Sequence, residues 1–179
     1  MQKQIQAAKQ QADAVIVSAH WGLEDTHTVA PETKTLAKQL VDWGADVIVG
    51  THSHTAETME YLTRTDGSKG FVFYSLGNFI SAQTDNFNMV GEIANFTLTK
   101  NPGEQHATVS DIQVIPVITH YETRQQLNLR LYPYNMYNAT LASQHGLPVA
   151  PLGYAKTFNM GVIDKIIQNN IPEEFRKLN

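Results

Sequence analysis

Asp46-Val47-Ile48-Val49-Gly50-Thr51-His52-Ser53-His54 is the stretch that decides how the rest of the chain is read. Val47 to Val49 is a β-branched run and suits a strand. Two imidazoles two residues apart on extended backbone point to the same side. Gly50, at the expected strand exit, allows the backbone to turn sharply there. Two neutral histidines aimed at one point suit a divalent transition metal better than they suit a core. The competing reading is a polar loop carrying two surface histidines.

Upstream of this stretch lie a helix and a second strand. Pro31 is well placed as the first residue of a helix running to about Trp43, with Leu36, Leu40, Val41 and Trp43 on its apolar face. Gly44 is a natural stop. Before that helix, Ala14 to Ala19 is a continuous apolar run, which suggests a strand covered on both sides. Strand, helix and strand make a βαβ unit, so the two strands are expected to be parallel. Sites in open α/β sheets lie outside the carboxyl ends of the strands. His20 follows the first strand and His52 and His54 follow the second, so this topology brings three imidazoles to one sheet edge. Residues 1–11 read as a short polar helix with Ile5 and Ala8 on one face.

Downstream the pattern changes to sequential strands. Candidates are Glu57 to Leu62, Phe71 to Leu76, Met89 to Leu98 and Ala107 to Thr119, the last interrupted or edged at Pro116. Turn signals sit at Thr65-Asp66-Gly67-Ser68 and Lys100-Asn101-Pro102-Gly103-Glu104. Such a run implies mostly antiparallel pairing. Two helices are expected near residues 134–143 and 159–169. The chain divides into residues 1–132, a βαβ unit continued by strands, and 133–179, a helical extension packed on the same domain.

At 179 residues the chain is long enough for one ordinary core. Its 42% hydrophobic and 17% charged content is globular. A net charge of −4 disfavours a nucleic-acid or anionic-membrane surface. Cysteine is absent, which excludes disulfides and thiolate metal sites. No apolar stretch approaches the roughly 20 residues of a transmembrane helix. Met1 to Gln6 has no apolar segment of the signal-peptide kind, so none is expected within these residues.

Other polar residues near the three histidines have two readings each. Glu24 and Asp25 either fix a histidine tautomer or contact metal-bound water, or they belong to a solvated acidic loop. Asn78 either caps a turn in a left-handed conformation or orients a substrate oxygen. Ser75 lacks a nucleophile elbow and is a poor nucleophile candidate. His27 shares the two readings of Glu24 and Asp25 and leans to the solvated loop, while His106, His120 and His145 lack ligand spacing and read as surface or core residues. Arg130 is an inward-charge candidate at a strand, and Tyr132, Tyr134 and Tyr137 read as packing residues.

Three blocks carry a family resemblance: Asp13-Ala14-Val15-Ile16-Val17-Ser18-Ala19-His20-Trp21-Gly22-Leu23-Glu24, Gly44-Ala45-Asp46-Val47-Ile48-Val49-Gly50-Thr51-His52-Ser53-His54 and Tyr74-Ser75-Leu76-Gly77-Asn78-Phe79-Ile80. In this order and spacing they resemble the CapA family of bacterial capsule (poly-γ-glutamate) biosynthesis proteins, relatives of calcineurin-like metallophosphoesterases. The resemblance is close over residues 13–80 and loose beyond. It implies an α/β fold, part of a metallophosphoesterase α/β/β/α sandwich. It implies His20, His52 and His54 as metal ligands, with Glu24 and Asn78 beside the catalytic site. It also implies a divalent transition metal (Mn, Fe or Zn), dinuclear in the intact protein, and a polymer or phosphoester substrate. The family's earlier site blocks are not found, so the chain resembles the C-terminal half of the family domain. Family habit places the intact protein on the outer side of the membrane, in the cell envelope. The alternative is a non-catalytic scaffold in an envelope polymer synthesis or export complex. Neither reading calls for nucleic acid or for a transmembrane segment in this chain.

Overall fold

The computed structural model of the chain describes residues 1–123, 128–147 and 157–179. It opens with helix α1 (Gln2–Lys9), strand β1 (Ile16–Trp21), helix α2 (Pro31–Asp42) and strand β2 (Val47–His52). β1 and β2 are parallel, with His20 opposite Thr51 and Trp21 opposite His52, as the βαβ pattern implies. α2 begins with Pro31 at its first turn and buries Thr33, Ala37, Leu40 and Val41, one stripe at helical spacing. It ends in a Schellman closure. Gly44 takes φ +120°, its N–H donates to Val41 O at 3.1 Å, and Ala45 N–H donates to Leu40 O at 3.0 Å.

Strands β3 (Met59–Thr63) and β4 (Lys69–Phe73) complete a four-stranded sheet in the order β1-β2-β4-β3. β4 runs parallel to β2, and β3 pairs antiparallel to β4. β5 (Val90–Thr99), β6 (Thr108–His120) and β7 (Arg130–Pro133) form a second, antiparallel sheet. Helices α3 (Ala139–Gln144) and α4 (Met160–Asn170) follow.

Alternation divides the sheet residues between two cores. Ile48, Val72 and Tyr74 pack with Ile5, Ala37, Leu40 and Val41 under the helices. Val47, Phe71 and Phe73 face the other way, into a core shared with Val90, Val114 and Ile118 of the second sheet and with Ile163, Ile166 and Ile167 of α4. The described chain is thus a helical layer, a mixed sheet, and an antiparallel sheet with α4 joined to the inter-sheet core.

The structure departs from the sequence reading at β1, at Pro116 and at Arg130. β1 is not covered on both sides. It is an edge strand of the described sheet, and its exposure alternates, with Ile16, Ser18 and His20 open to solvent and Val17, Ala19 and Trp21 packed toward α2. A continuous apolar run cannot distinguish these cases, because an edge position is a property of the sheet. Pro116 does not interrupt β6. It pairs with Glu92 of β5, and β7 ends one residue away, opposite Val117, so no rung to β7 is lost. Arg130 is exposed on β7 and does not point inward.

At the amino edge of the parallel strands, Asp46 is fully buried and fully engaged. Its Oδ2 accepts from Val15 N–H and Lys9 Nζ, each at 2.8 Å, and its Oδ1 from Arg64 Nη2 at 3.1 Å. Arg64 also donates to the carbonyls of Val41 and Ala45, tying the end of α2 to the sheet.

Candidate functional site

The three singled-out histidines all lie at the carboxyl edge of β1 and β2. The ring centroids of His20 and His52 are 4.4 Å apart, and those of His52 and His54 are 6.4 Å apart. The route to this proximity is not the expected one. His52 has φ +105° and His54 φ +61°, so the pair sits on a left-handed turn and not on extended backbone. Asp25, whose N–H donates to Ser53 O at 2.9 Å, is also left-handed, at φ +59°. Three of the four non-glycine residues with positive φ among those described are therefore within one small region. Conformations of this kind cost of order 1–3 kcal/mol each and cluster at functional sites.

Gly50 is not the turn. It lies inside β2, and its missing side chain lets two other groups approach. A Cβ there would stand 1.8 Å from the Tyr74 carbonyl oxygen and 2.6 Å from the Trp21 indole nitrogen. Trp21 Nε1–H donates to that same Tyr74 oxygen at 2.8 Å. The segment after β4 is thereby drawn against β2, which carries Asn78 to the histidines.

Asn78 Oδ1 lies 3.0 Å from His54 Nδ1. The Asn78 amide nitrogen donates to Gln83 Oε1 at 2.6 Å and to the Asn88 carbonyl at 3.2 Å. Both partners are acceptors, which fixes the amide orientation and makes Oδ1 an acceptor. His54 Nδ1 then carries the proton, and its Nε2 keeps a free lone pair, as an imidazole ligand requires. Asn88 in turn donates to Asp25 Oδ1 at 3.0 Å and to His54 O at 3.1 Å, joining the two loops. Asn78 itself is not left-handed; Gly77, at φ +67°, takes that conformation.

The remaining candidates separate cleanly. Glu24 is exposed, with Oε1 3.8 Å from His52 Nδ1. The Thr51 hydroxyl lies 3.5 Å from His20 Nδ1 and donates to Ala19 O. His27 is turned away, bonded through Nδ1 to the Ala56 carbonyl. His106 stands between Asp46 and Asp66 near the opposite sheet edge. His120 and His145 are core residues, 2% exposed, in contact with Tyr121, Tyr132, Tyr137 and Phe158. Ser75 is buried, and its hydroxyl accepts from Gly77 N–H.

The donor chemistry fits a transition metal: imidazole nitrogens, one with its tautomer fixed by a carboxamide. The convergence is incomplete. Among the described residues no group of three or more His, Asp or Glu side chains is arranged to hold a metal ion. Sequence reading missed Gln83, Asn88, Glu57 and Glu92. None has ligand spacing, and only the folding of the segment after β4 brings them near Asn78.

These features define an α/β protein with a strained, histidine-lined edge on its parallel strands. Residues 1–83 match the model of the bacterial capsule synthesis protein PGA_cap family. The chain is 42% identical over 85 residues to the capsule biosynthesis protein CapA of Bacillus anthracis, covering 45% of this chain and 20% of that protein. It is 37% identical over 109 residues to the PGA biosynthesis protein CapA of Bacillus subtilis (strain 168), covering 60% of this chain and 27% of that one. Over these residues the chain is similar to the CapA proteins of bacterial capsule and PGA biosynthesis. Its matched part spans about a quarter or less of the length of these relatives. No helix among the described residues is long and apolar enough to cross a membrane.

Proposed function

We propose that His20, His52 and His54 are ligands of a divalent transition metal (Mn, Fe or Zn) in a metallophosphoesterase-like centre. Further ligands from outside these 179 residues would complete it, as a dinuclear site in the intact protein. The observation that carries this reading is the gathering of three imidazoles at one sheet edge, with His54 Nδ1 committed to Asn78 and its Nε2 left free. A metal held there would polarise a phosphoryl or acyl oxygen and lower the pKa of bound water. Asn78 fixes the His54 ring, and Glu24 stands at the rim, within reach of His52 or of a substrate proton. The left-handed turn at His52 and His54 holds the rings in place before any ligand arrives. The similarity to capsule and PGA biosynthesis proteins supports placing this chemistry in the making of such a polymer; the substrate would be that polymer or a phosphoester, and the location the cell envelope.

The test is metal content. The full chain, incubated with Mn, Fe or Zn and desalted, is expected to retain metal. His52→Ala and His54→Ala are expected to lower affinity by tenfold or more, with the urea midpoint of the metal-free proteins little changed. Equal retention by parent and variants refutes the ligand assignment. No retention by the parent, with stability unaffected by chelator, favours instead a non-catalytic scaffold in an envelope polymer complex.

A further inference from the structure

The segment after β4 passes between two others. On one side Leu76 bridges Ala56, and Glu57 N–H donates to Ser75 O at 3.0 Å. On the other side Glu92 N–H donates to Leu76 O at 2.8 Å. Two carboxyl side chains thus flank one strand-like segment, and both are buried, Glu57 at 1% and Glu92 at 4% exposure. Glu57 Oε1 and both oxygens of Glu92 have no hydrogen-bond partner. Buried acceptors without partners are rare in folded proteins, and three in one place call for an explanation.

The groups facing the pair supply no countercharge. From its own turn, the Ser53 hydroxyl reaches Glu57. From the loop after β1, Gly22 offers only backbone, its ideal Cβ position 3.8 Å from Glu57 Oε1. Nearby, His27 bonds the Ala56 carbonyl through Nδ1, and its buried Nε2 has no partner. From β6, the residue opposite Glu92 is Pro116. The charge acting on Glu92 is Glu57 itself. Two buried carboxylates that act on each other in this way do not both ionise.

We propose that Glu57 and Glu92 bind one proton between them, forming a buried proton site beneath the His52-Ser53-His54 turn. The O–H of one carboxyl donates to an oxygen of the other, which gives partners to two of the orphaned acceptors. The shared proton clamps the Ser75–Asn78 segment between Ala56–Glu57 and β5, and through Asn78 it positions the His54 ring. On release the proton goes to solvent, two carboxylates remain, and their repulsion loosens the clamp. Both residues are positioning residues, and neither is among the proposed metal ligands. Burial pushes the Glu57 carboxyl up to about 7, and burial together with the Glu57 charge raises Glu92 well above the usual carboxylate range. The Glu57 carboxyl therefore contributes stability that is full below about pH 4.5 and is lost as pH rises through about 7, and the proton on Glu92 is held to higher pH.

Infrared spectroscopy of the full, metal-free chain tests this. A protonated-carboxyl C=O stretch is expected in the parent at about pH 6, well above the range where exposed carboxyls hold protons. It should fade as pH rises, it should weaken and shift in frequency in Glu92→Gln, where the partner oxygen is lost, and it should be absent from the Glu57→Gln/Glu92→Gln double variant. The His54 ring signals in NMR should follow the same midpoint in the parent and lose it in Glu92→Gln, a change that a merely packing role does not produce. Should the variants fail to fold, the parent's band and its fading with pH carry the test alone. No such band in the parent, or a band unchanged in Glu92→Gln, overturns the proposal. So does loss of the band on adding Mg2+ or Ca2+ at neutral pH in the His52→Ala protein, which would make the pair a cation site.

Discussion

Gly50→Ala tests whether the close approach of β2 to the segment after β4 builds the histidine edge. A methyl group at Gly50 would stand 1.8 Å from the Tyr74 carbonyl oxygen, where ordinary contacts begin near 3.4 Å. The obstacle is backbone and cannot rotate away, so the two segments must separate by more than 1 Å. Separation breaks the Trp21 indole bond to Tyr74 O (2.8 Å) and the Leu76 N–H bond to Gly50 O (3.2 Å). At about 1 kcal/mol for each hydrogen bond and about 1–3 kcal/mol for overpacking, the cost is about 3–5 kcal/mol. That is about a fifth or more of the stability of a typical domain. The assay is equilibrium urea unfolding of the full chain, with Gly67→Ala as control. Gly67 has φ +87° and nothing within 4 Å of a built Cβ, so its substitution costs only the backbone penalty of about 1–2 kcal/mol. A Gly50→Ala protein as stable as the Gly67→Ala control refutes the close-approach reasoning.

Two further outcomes follow from buried groups. Asp46→Ala leaves the Arg64 guanidinium, 4% exposed, without its carboxylate and removes the acceptor of Val15 N–H. Urea unfolding is expected to show a loss of about 3–5 kcal/mol, and a loss under about 1 kcal/mol would mean that the hub contributes little. His145 accepts from Leu147 N–H at Nδ1 and donates from Nε2 to Thr119 O, so its buried ring is neutral. Burial, with a smaller push from His120, lowers it to about 4. Its folded value lies below the unfolded one of about 6.5, so the unfolded chain takes up the proton first and stability falls as pH drops from about 6.5 toward 4. The loss is about 3 kcal/mol, and His145→Gln should flatten that slope in urea midpoints measured across this window; an unchanged slope refutes the assignment.

Local pattern made the βαβ unit legible. Pro31 at the start of α2, Gly44 at its end and the β-branched run Val47–Val49 each act within a few residues, and the structure keeps all three. The three histidines were legible as a group because parallel pairing converts strand ends into one edge, and the register of His20 with Thr51 and Trp21 with His52 bears this out. The manner of their approach was not legible. A left-handed His52 is strained in isolation and is held by contacts made from other segments, such as Asp25 N–H on Ser53 O. The same holds for Asn88, which reaches His54 O across 34 residues, and for the Glu57 and Glu92 pair. Their meaning depends on which segments become neighbours, and composition and periodicity do not carry that information.

The two ends of the parallel strands have opposite electrostatic character, and this asymmetry bears on function. At the amino edge, the Asp46 carboxylate meets Val15 N–H, Lys9 and Arg64, so each of its oxygens is satisfied and the charges are paired. That arrangement lowers energy and does little else. At the carboxyl edge the chain keeps three residues at positive φ, an imidazole nitrogen without a partner on His54, and beneath them two buried carboxyls short of donors. The chain closes the bonds of Asp46 at one edge and leaves those of the buried carboxyls at the other open. Strain and unmet bonding capacity persist where a ligand, a metal or a proton is to supply what the fold leaves out. That contrast supports the proposed site at the carboxyl edge, with the amino edge as the brace that holds it.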